Sequence, residues 1–501
     1  PGNGDINVSV ATTELSFTLE DPDDDPMDYM ITTNPPIGSD YVTGAQSGIH
    51  TLQVSGLDYD TTYQWVISVT DGNDVTNRIY SFTTQQASTI WWDHNWDSRK
   101  KLTIHSDNVD TTLNDFPLLV DITDLQLASD DQPDGHDIVF TDEVGSKLSH
   151  EIESYDSGTG HLIAWVNVPS LSSTEDTILY IYFGNDEAAN QEDAEGTWDG
   201  NYVMVHHLNE TAGIHYDSTS NGNDGTPSVT IQGLAPGQID GADNFDGTND
   251  YVDCGNQSSL DITGSLTVEA WALFTQGELR NRIVAKDATG IPGKFIFWQD
   301  ATGDLTFQVF NSLDTWCLAS IPISPDGSWM HVVGVFDTID QRVRLYKDGI
   351  EVDSAICPGS LKSNTEAVTL GSSANYEDNF NGMLDEVRIS SVARSAEWIQ
   401  ESHFNQRNPL SYYTMGDVEP QCEGNFDCDY DCDGSDALNF KIDFGRSPFS
   451  NPCESANPCN GDFDCDEDVD GSDARTFKQD FGRSPFSNPC PPCLAGVWCS
   501  Y

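Results

Sequence analysis

Positive charge is what this sequence has least of. Its 501 residues carry 21 Lys and Arg against 83 Asp and Glu, a formal net charge of −62. Nucleic-acid phosphates would repel such a chain, which excludes the counterion-release mode of binding, and the same repulsion disfavours insertion at an anionic membrane surface. Long apolar runs are missing too, so no segment reads as a membrane span, which needs about eighteen such residues. No secretory leader is seen, and the opening PGNGDINVSV reads as a mature or trimmed start. Catalytic motifs are also absent: there is no HExxH, no GxSxG and no phosphate-binding glycine loop. Cysteine is sparse up to residue 420, with only Cys254, Cys317 and Cys357.

What is present is concentrated in the tail. Nine of the twelve cysteines lie after residue 420, where little apolar material is available for a core. Small extracellular domains are stapled in this way. The stretch from Gly424, GNFDCDYDCDGSDALNFKIDFGRSPFSNPC, returns from Gly461 as GDFDCDEDVDGSDARTFKQDFGRSPFSNPC, and a repeat this close is a structural unit. Residues 461–473 hold six aspartates and a glutamate. Carboxylates ~4 Å apart repel by roughly 4 kcal/mol at an effective dielectric near 20, so a cation is expected among them. Counting from Asp462, positions 1, 3, 5, 7, 9 and 12 are Asp462, Asp464, Asp466, Asp468, Asp470 and Asp473; in the first copy they are Asn425, Asp427, Asp429, Asp431, Asp433 and Asp436. Hard oxygen ligands at EF-hand spacing predict calcium in preference to zinc. Two departures from that pattern are Tyr430 and Glu467 where the turn glycine belongs, and Asp where position 12 usually holds Glu.

The Asp at position 12, the single helix after each loop (Ala437 to Phe444, Ala474 to Phe481) and the duplication resemble a dockerin, the module that docks bacterial surface enzymes onto cohesins. The resemblance implies that Gly434, Ser435, Gly471 and Ser472 help choose the partner. The tail cysteines Cys422, Cys428, Cys453, Cys459, Cys465, Cys490, Cys493 and Cys499 are disulfide candidates, while Cys432 stands where the second repeat has Val469. Nine is odd, so at least one tail cysteine is free or pairs with another domain or another chain.

The length predicts about three to five domains, and up to about residue 390 short alternating segments separated by Gly, Asn, Asp and Pro turns read as strands. The fold class expected is mainly β: tandem β-sandwiches, immunoglobulin or fibronectin III-like and then a jelly roll, with a small disulfide-rich, calcium-binding α-helical repeat module at the C-terminus. Residues 1–87, with LDYDTTYQWVISVTDG and NRIYSFTT, resemble a fibronectin type III module in which Tyr63 and Trp65 sit on a central strand. Residues 88–190, with WWDHNWDSRKKLTI, LIAWVNVPSL and TILYIYFGN, resemble an uncharacterised bacterial β-sandwich family, domain of unknown function 2341, that commonly precedes lectin-like domains. Trp91, Trp92 and Trp96 are expected in packing more than in a sugar platform. Residues 198–405, with NFDGTNDYVDCG, LTVEAWALF, WMHVVGVFD, VRLYKDGIEV and FNGMLDEVRIS, resemble laminin G-like, concanavalin A-type jelly rolls. That resemblance implies a calcium ion near Asp217 and Asp385, with Asp246 a weaker candidate; Asp246 and Asp348 read equally well as shapers of DG turns. Cys317 and Cys357 are candidates for a bridge between neighbouring strands, which leaves Cys254 without a mate. Residues 420–501 form the dockerin-like module.

Some jelly rolls of this shape are glucanases, which need two carboxylates across the scissile bond. Their Glu-x-Asp-x-Glu strand is absent between 200 and 400, where LTVEAWALF holds only Glu269. His206 and His207 face opposite ways if they share a strand, so packing roles are expected for both. No enzyme activity is expected. The sequence predicts an extracellular or cell-surface structural and adhesive protein, stabilised by calcium, that assembles with copies of itself into a fibre or sheath. The alternative is a glycan- or protein-binding protein anchored to a cohesin by its tail.

Overall fold

A computed structural model describes residues 3–8, 14–21, 23, 25–54, 57, 61–72, 74–84, 91–93, 95–130, 132–228, 231–275, 281–288, 293–420, 432, 434–447, 449, 453, 461–462 and 468–483. Two compact units are present, residues 1–90 and 91–501. The chain is mainly β, built from several packed sheets, as its alternating segments predict.

The first unit is a two-sheet sandwich. Its larger sheet runs in the order Asp5–Val8, Val75–Thr84, Thr62–Thr70, Met27–Asn34, Ser39–Ala45, and Glu14–Leu19 pairs with Gly48–Gln53 across the core. Alternation in TYQWVI puts Tyr63, Trp65 and Ile67 inward, where they meet Leu15, Phe17, Ile31 and Phe82. Tyr63 and Trp65 thus lie on the middle strand of five.

The second unit begins with another sandwich. One sheet is ordered Lys147–Leu148, Val139–Asp142, Thr177–Phe183, Ser98–Ile104, Tyr413–Pro420; the other is His150–Asp156, His161–Leu171, Leu113–Thr123. The strand Tyr413–Pro420, outside the segments delimited by sequence, comes from beyond the jelly roll and pairs antiparallel with Ser98–Ile104. The chain therefore leaves this sandwich, builds the jelly roll, and returns to complete the first sheet. Trp91 and Trp96 are buried against Tyr180 and Tyr182, and the Arg99 guanidinium lies over the Trp91 and Tyr180 rings, so these tryptophans serve packing.

The jelly roll packs an eight-stranded sheet on a seven-stranded one. In the first, Asn381–Ser390 lies between Gly241–Asp246 and Leu266–Phe274, and Tyr202–His206 also pairs with it. Phe245, Phe274, Phe297, Phe307 and Phe380 fill the space between the sheets. Gly334 is required there, because a Cβ would sit 2.2 Å from Phe307 Cγ. Cys317 and Cys357 form a disulfide across two strand ends, and Cys254 is a buried free thiol. The helix Ala396–Arg407, capped by Ser395 on the Trp398 N–H, lays Ile399 on Val333, Val335 and Tyr346 of the eight-stranded sheet.

In the tail, helices run from Gly434 to Asp443 and from Gly471 to Asp480, three residues earlier than expected at their starts. The second begins early because Asp470 caps it, which places Asp473 inside its first turn in a reciprocal capping box. The repeats are related by a pseudo-twofold: Gly482 N donates to Cys432 O and Cys432 N to Arg483 O, while Gly445 N donates to Val469 O and Val469 N to Arg446 O. Phe440 and Phe477, equivalent by the repeat, stack at 4.8 Å between Cys432 and Val469. Cys432 replaces Val469 because both are fully buried core positions.

Candidate functional site

Three places bring functional groups together. In the tail, Asp468, Asp470 and Asp473 each offer a carboxylate oxygen within 4.8 Å of the others. Asp470 Oδ1 accepts from the Ser472 N–H and hydroxyl at 2.7 Å, which holds its carboxyl below the usual range, and Asp473 Oδ2 accepts from Asp470 N at 2.7 Å. Asp436, Asp462 and Asp473 are buried. Gly434, Ser435, Gly471 and Ser472 are exposed at the helix starts. Asn425, Asp427, Asp429, Asp431, Asp433, Asp464 and Asp466 lie outside the described residues, as do Cys422, Cys428, Cys459, Cys465, Cys490, Cys493 and Cys499. Cys453 is buried and disulfide-bonded.

The second place is the junction between the second sandwich and the jelly roll. Glu151 and Glu153, two apart on His150–Asp156, project from one face and meet His207 at 3.4 Å each. Opposite them, His207 Nδ1 is 2.6 Å from Glu386 Oε1, and Arg388 donates to Glu386 Oε2 at 2.5 Å. A bulge in Asn381–Ser390, with Glu386 at φ +51°, turns that carboxylate toward the histidine. The Arg388 guanidinium lies over the Trp165 and Trp198 rings, whose N–H groups donate to Glu153 and Glu151 at 2.8 Å. Burial opposes charge on His207, yet Glu386, Glu153 and Glu151 raise its pKa well above the ordinary value. Burial also opposes charge on Glu151 and Glu386, but His207 holds both below the usual carboxylate range. Glu153 and Asp385, pushed up by burial and by Glu386, are held toward the protonated form. Two cations thus face two carboxylates in a neutral network. Glu153, His207 and Glu386 have metal-ligand types within reach of one another, but the 2.6 Å contact is that of a charge-assisted hydrogen bond. Two ligands on one tetrahedral zinc would stand about 3.3 Å apart.

Sequence reasoning expected packing roles for both histidines. That describes His206, which burial holds neutral at about 4 and whose Nε2 faces Asn223 O. It missed His207 as the centre of a charged network, although Glu151-x-Glu153 and Glu386-x-Arg388, each pairing charges on one strand face, carry the signal. Asp217 and Asp385 are not among the groups that converge on a common point, among the described residues. Asp217 accepts from the N–H groups of Val205, Thr219 and Asn223 and from the Thr219 hydroxyl, organising the loop that follows the strand. Asp385 Oδ2 accepts from Gln238 N and Ile239 N. Asp246 Oδ1 accepts from Thr248 N, and Asp348 with Gly349 takes positive φ at a hairpin tip, so both shape turns. Glu269 is buried opposite Arg388, out of reach of any substrate.

The third place is open to solvent. A cavity of about 550 Å³ lies at one end of the jelly roll, between the 322–330 loop, the 347–348 turn and the last turn of Ala396–Arg407. Its size falls in the range of small-ligand sites, about 300–1,000 Å³. Trp329 is half-buried on its wall, and no ring packs against it among the described residues. Lys347 pairs with Asp348 at 2.7 Å. Asp326 is held below the usual carboxylate range by the backbone N–H of Ser328.

Comparison with known proteins places two families on this frame. Residues 246–400 match the concanavalin A-like lectin/glucanases superfamily, in its laminin G type. Residues 134–226 match a domain of unknown function, DUF2341, a span that runs from the second sandwich into the jelly roll and carries Glu151, Glu153 and His207. No curated protein matches. Among solved structures, similarity extends to the binding domain of Paraclostridial Mosquitocidal Protein 1, at 12% identity over 40% of this chain and 52% of that one, TM-score 0.33. The botulinum neurotoxin serotype D binding domain shows 14% identity over 41% and 52%, TM-score 0.33, and that of serotype G 10% over 41% and 51%, TM-score 0.34. The chain spans about half the length of these structures, and nothing about ligand choice follows from likeness at this level. No helix among the described residues is long and apolar enough to cross a membrane.

Proposed function

We propose that this chain is a non-catalytic extracellular binding protein whose jelly roll takes a glycan and whose calcium-ordered tail docks it to a protein partner. The observation that carries the glycan reading is the cavity beside Trp329, which combines an unpartnered indole face with charged hydrogen-bonding groups. Pockets of that composition hold small polar ligands with an apolar face. The fate of Glu269 supports binding over hydrolysis, since a glycosidase needs two reachable carboxylates. In the tail, Asp468, Asp470 and Asp473 are hard oxygen donors suited to calcium, which would offset their mutual repulsion and hold the helix start in place. A panel of immobilised oligosaccharides tests the glycan reading: the intact chain is retained by at least one, and Trp329→Ala is not. Failure to bind any member, or retention unchanged in the variant, contradicts it.

A second reading, a dockerin-like joint that links copies of this chain into a fibre or sheath, is favoured by one feature of the tail. The first-repeat helix exposes Leu438 and Ile442, one turn apart, with Phe444 and Phe449 nearby; the second repeat has Arg475 and Gln479 at the equivalent positions. Leu438 and Ile442 thus give the first helix an apolar strip that the sequence of the second repeat replaces with polar residues. Light scattering with calcium and then with chelator separates the cases: a polymer that falls to one chain on chelation means self-docking, and a monomer in both means a foreign, cohesin-like partner.

A further inference from the structure

We propose that the cavity beside Trp329 selects an acidic saccharide, with Arg407 gripping the sugar carboxylate. This rests on the glycan reading and names the class of ligand. The argument starts from scarcity. A chain with a net charge of −62 repels anions over most of its surface, so an anion can be held only where cations are concentrated and not already neutralised. Two of the 21 basic residues, Lys347 and Arg407, line this cavity beside two carboxylates, Asp326 and Asp348, so that the cation able to take an anion there is the one without an ion-pair partner.

Their states differ in a way that assigns roles. Lys347 is committed to Asp348 at 2.7 Å. Arg407, exposed in the last turn of its helix, makes no ion pair or side-chain hydrogen bond among the described residues. Its neighbour in the cavity, His403, is stacked on Trp271 and His331 and kept neutral by burial, so it neither competes for an anion nor repels the guanidinium at neutral pH. A free planar guanidinium on a cavity wall matches a carboxylate with two parallel N–H bonds, a geometry an ammonium cannot reproduce.

The remaining groups fit a sugar ring and not a bare carboxylate. Trp329 offers a flat apolar face to the C–H side of a pyranose. Asp326 and the Lys347–Asp348 pair supply acceptors and donors for ring hydroxyls. A small organic acid would use Arg407 and leave Trp329 idle; a neutral sugar would use Trp329 and leave Arg407 idle. An acidic sugar uses both.

The test is calorimetric titration of the full chain with oligogalacturonate and oligoalginate, and with neutral xylo- and cello-oligosaccharides of the same length. The acidic ligands are expected to bind at least tenfold more tightly. Arg407→Gln should bring the two classes within about twofold, Arg407→Lys should restore only part of the preference, and Trp329→Ala should remove binding of both. Arg407 is exposed and Trp329 half-buried on the cavity wall, and an unchanged melting temperature shows that the variants fold. Sugar binding with no preference for acidic ligands, or a preference that survives Arg407→Gln, overturns this inference and leaves the glycan reading standing. No binding of any saccharide by the unaltered chain overturns both.

Discussion

Replacing Glu386 by Gln keeps the shape of a buried side chain and deletes one charge from the network that joins the second sandwich to the jelly roll. Glu386 is 2% exposed, and its two oxygens meet His207 at 2.6 Å and Arg388 at 2.5 Å. With the charge gone, Glu151 is the one carboxylate of the network left to face the two cations, because burial pushes Glu153 and Glu269 toward the protonated form. Removing one partner of a buried pair costs about 3–5 kcal/mol, because the orphaned cation stays desolvated. For a unit of this size each kcal/mol lowers the melting temperature by about 2 °C, so Glu386→Gln should melt about 6–10 °C lower. Scanning calorimetry of the intact protein reads this as a shift in the larger unit's transition, with residues 1–90 unaffected. Adding Arg388→Met, which keeps apolar bulk against Trp165 and Trp198, removes the orphan as well. The double variant should therefore cost less than the sum of the single ones by about 1–3 kcal/mol. A shift under about 2 °C, or strict additivity, would refute the view that these charges act as one network.

Three further outcomes follow from the same geometry. His215 sits between Asp243 at 2.9 Å and Glu210 at 2.6 Å; burial opposes its charge, yet these partners raise its pKa to about 9. Its stabilising contribution is whole below about pH 6.5 and is lost as pH rises through about 9. The larger unit should therefore melt lower at pH 9 than at pH 6.5, and His215→Gln should make that slope shallower, as thermal scans across the range will read. The Cys317–Cys357 bond closes a 40-residue separation, so Cys317→Ser with Cys357→Ser should lose up to about 4 kcal/mol by chain entropy, checked by urea titration. Asp473→Ala removes the acceptor for Asp470 N and one candidate calcium ligand. Limited proteolysis should then cut the tail as fast as in chelator-treated protein while the β-domains stay intact; a tail as resistant as the unaltered one would contradict calcium ordering.

Much of the fold was legible because alternation and turn residues are local signals. The resemblance of residues 1–87 to a fibronectin type III module implied a central strand for Tyr63 and Trp65, which lie on the middle strand of five, and the 37-residue offset between Cys432 and Val469 pointed to equivalent positions that are equally buried. The returning strand Tyr413–Pro420 was not legible, since its partner lies some 300 residues away and its own sequence, YTMGDVEP, alternates weakly. The helix starts were displaced because a loop numbering of ligands hides the fact that Asp470 is also an N-cap. Asp217 illustrates the same ambiguity in the opposite direction. An Asp in a polar loop can hold a cation or tie the loop's own N–H groups, and here its oxygens take four donors from Val205, Thr219 and Asn223. The junction network and the Trp329 cavity escaped because each is assembled from segments far apart in the chain.

The most direct test of the central claim, that this chain binds a glycan without cleaving it, uses one sample and two readings. The intact protein is run through native gels cast with acidic and, in parallel, neutral polysaccharides while reducing ends are assayed in the same mixtures over a day. The account predicts retarded migration, relieved by Trp329→Ala, with no new reducing ends. Accumulating reducing ends, or migration identical with and without every polysaccharide tried, would contradict it.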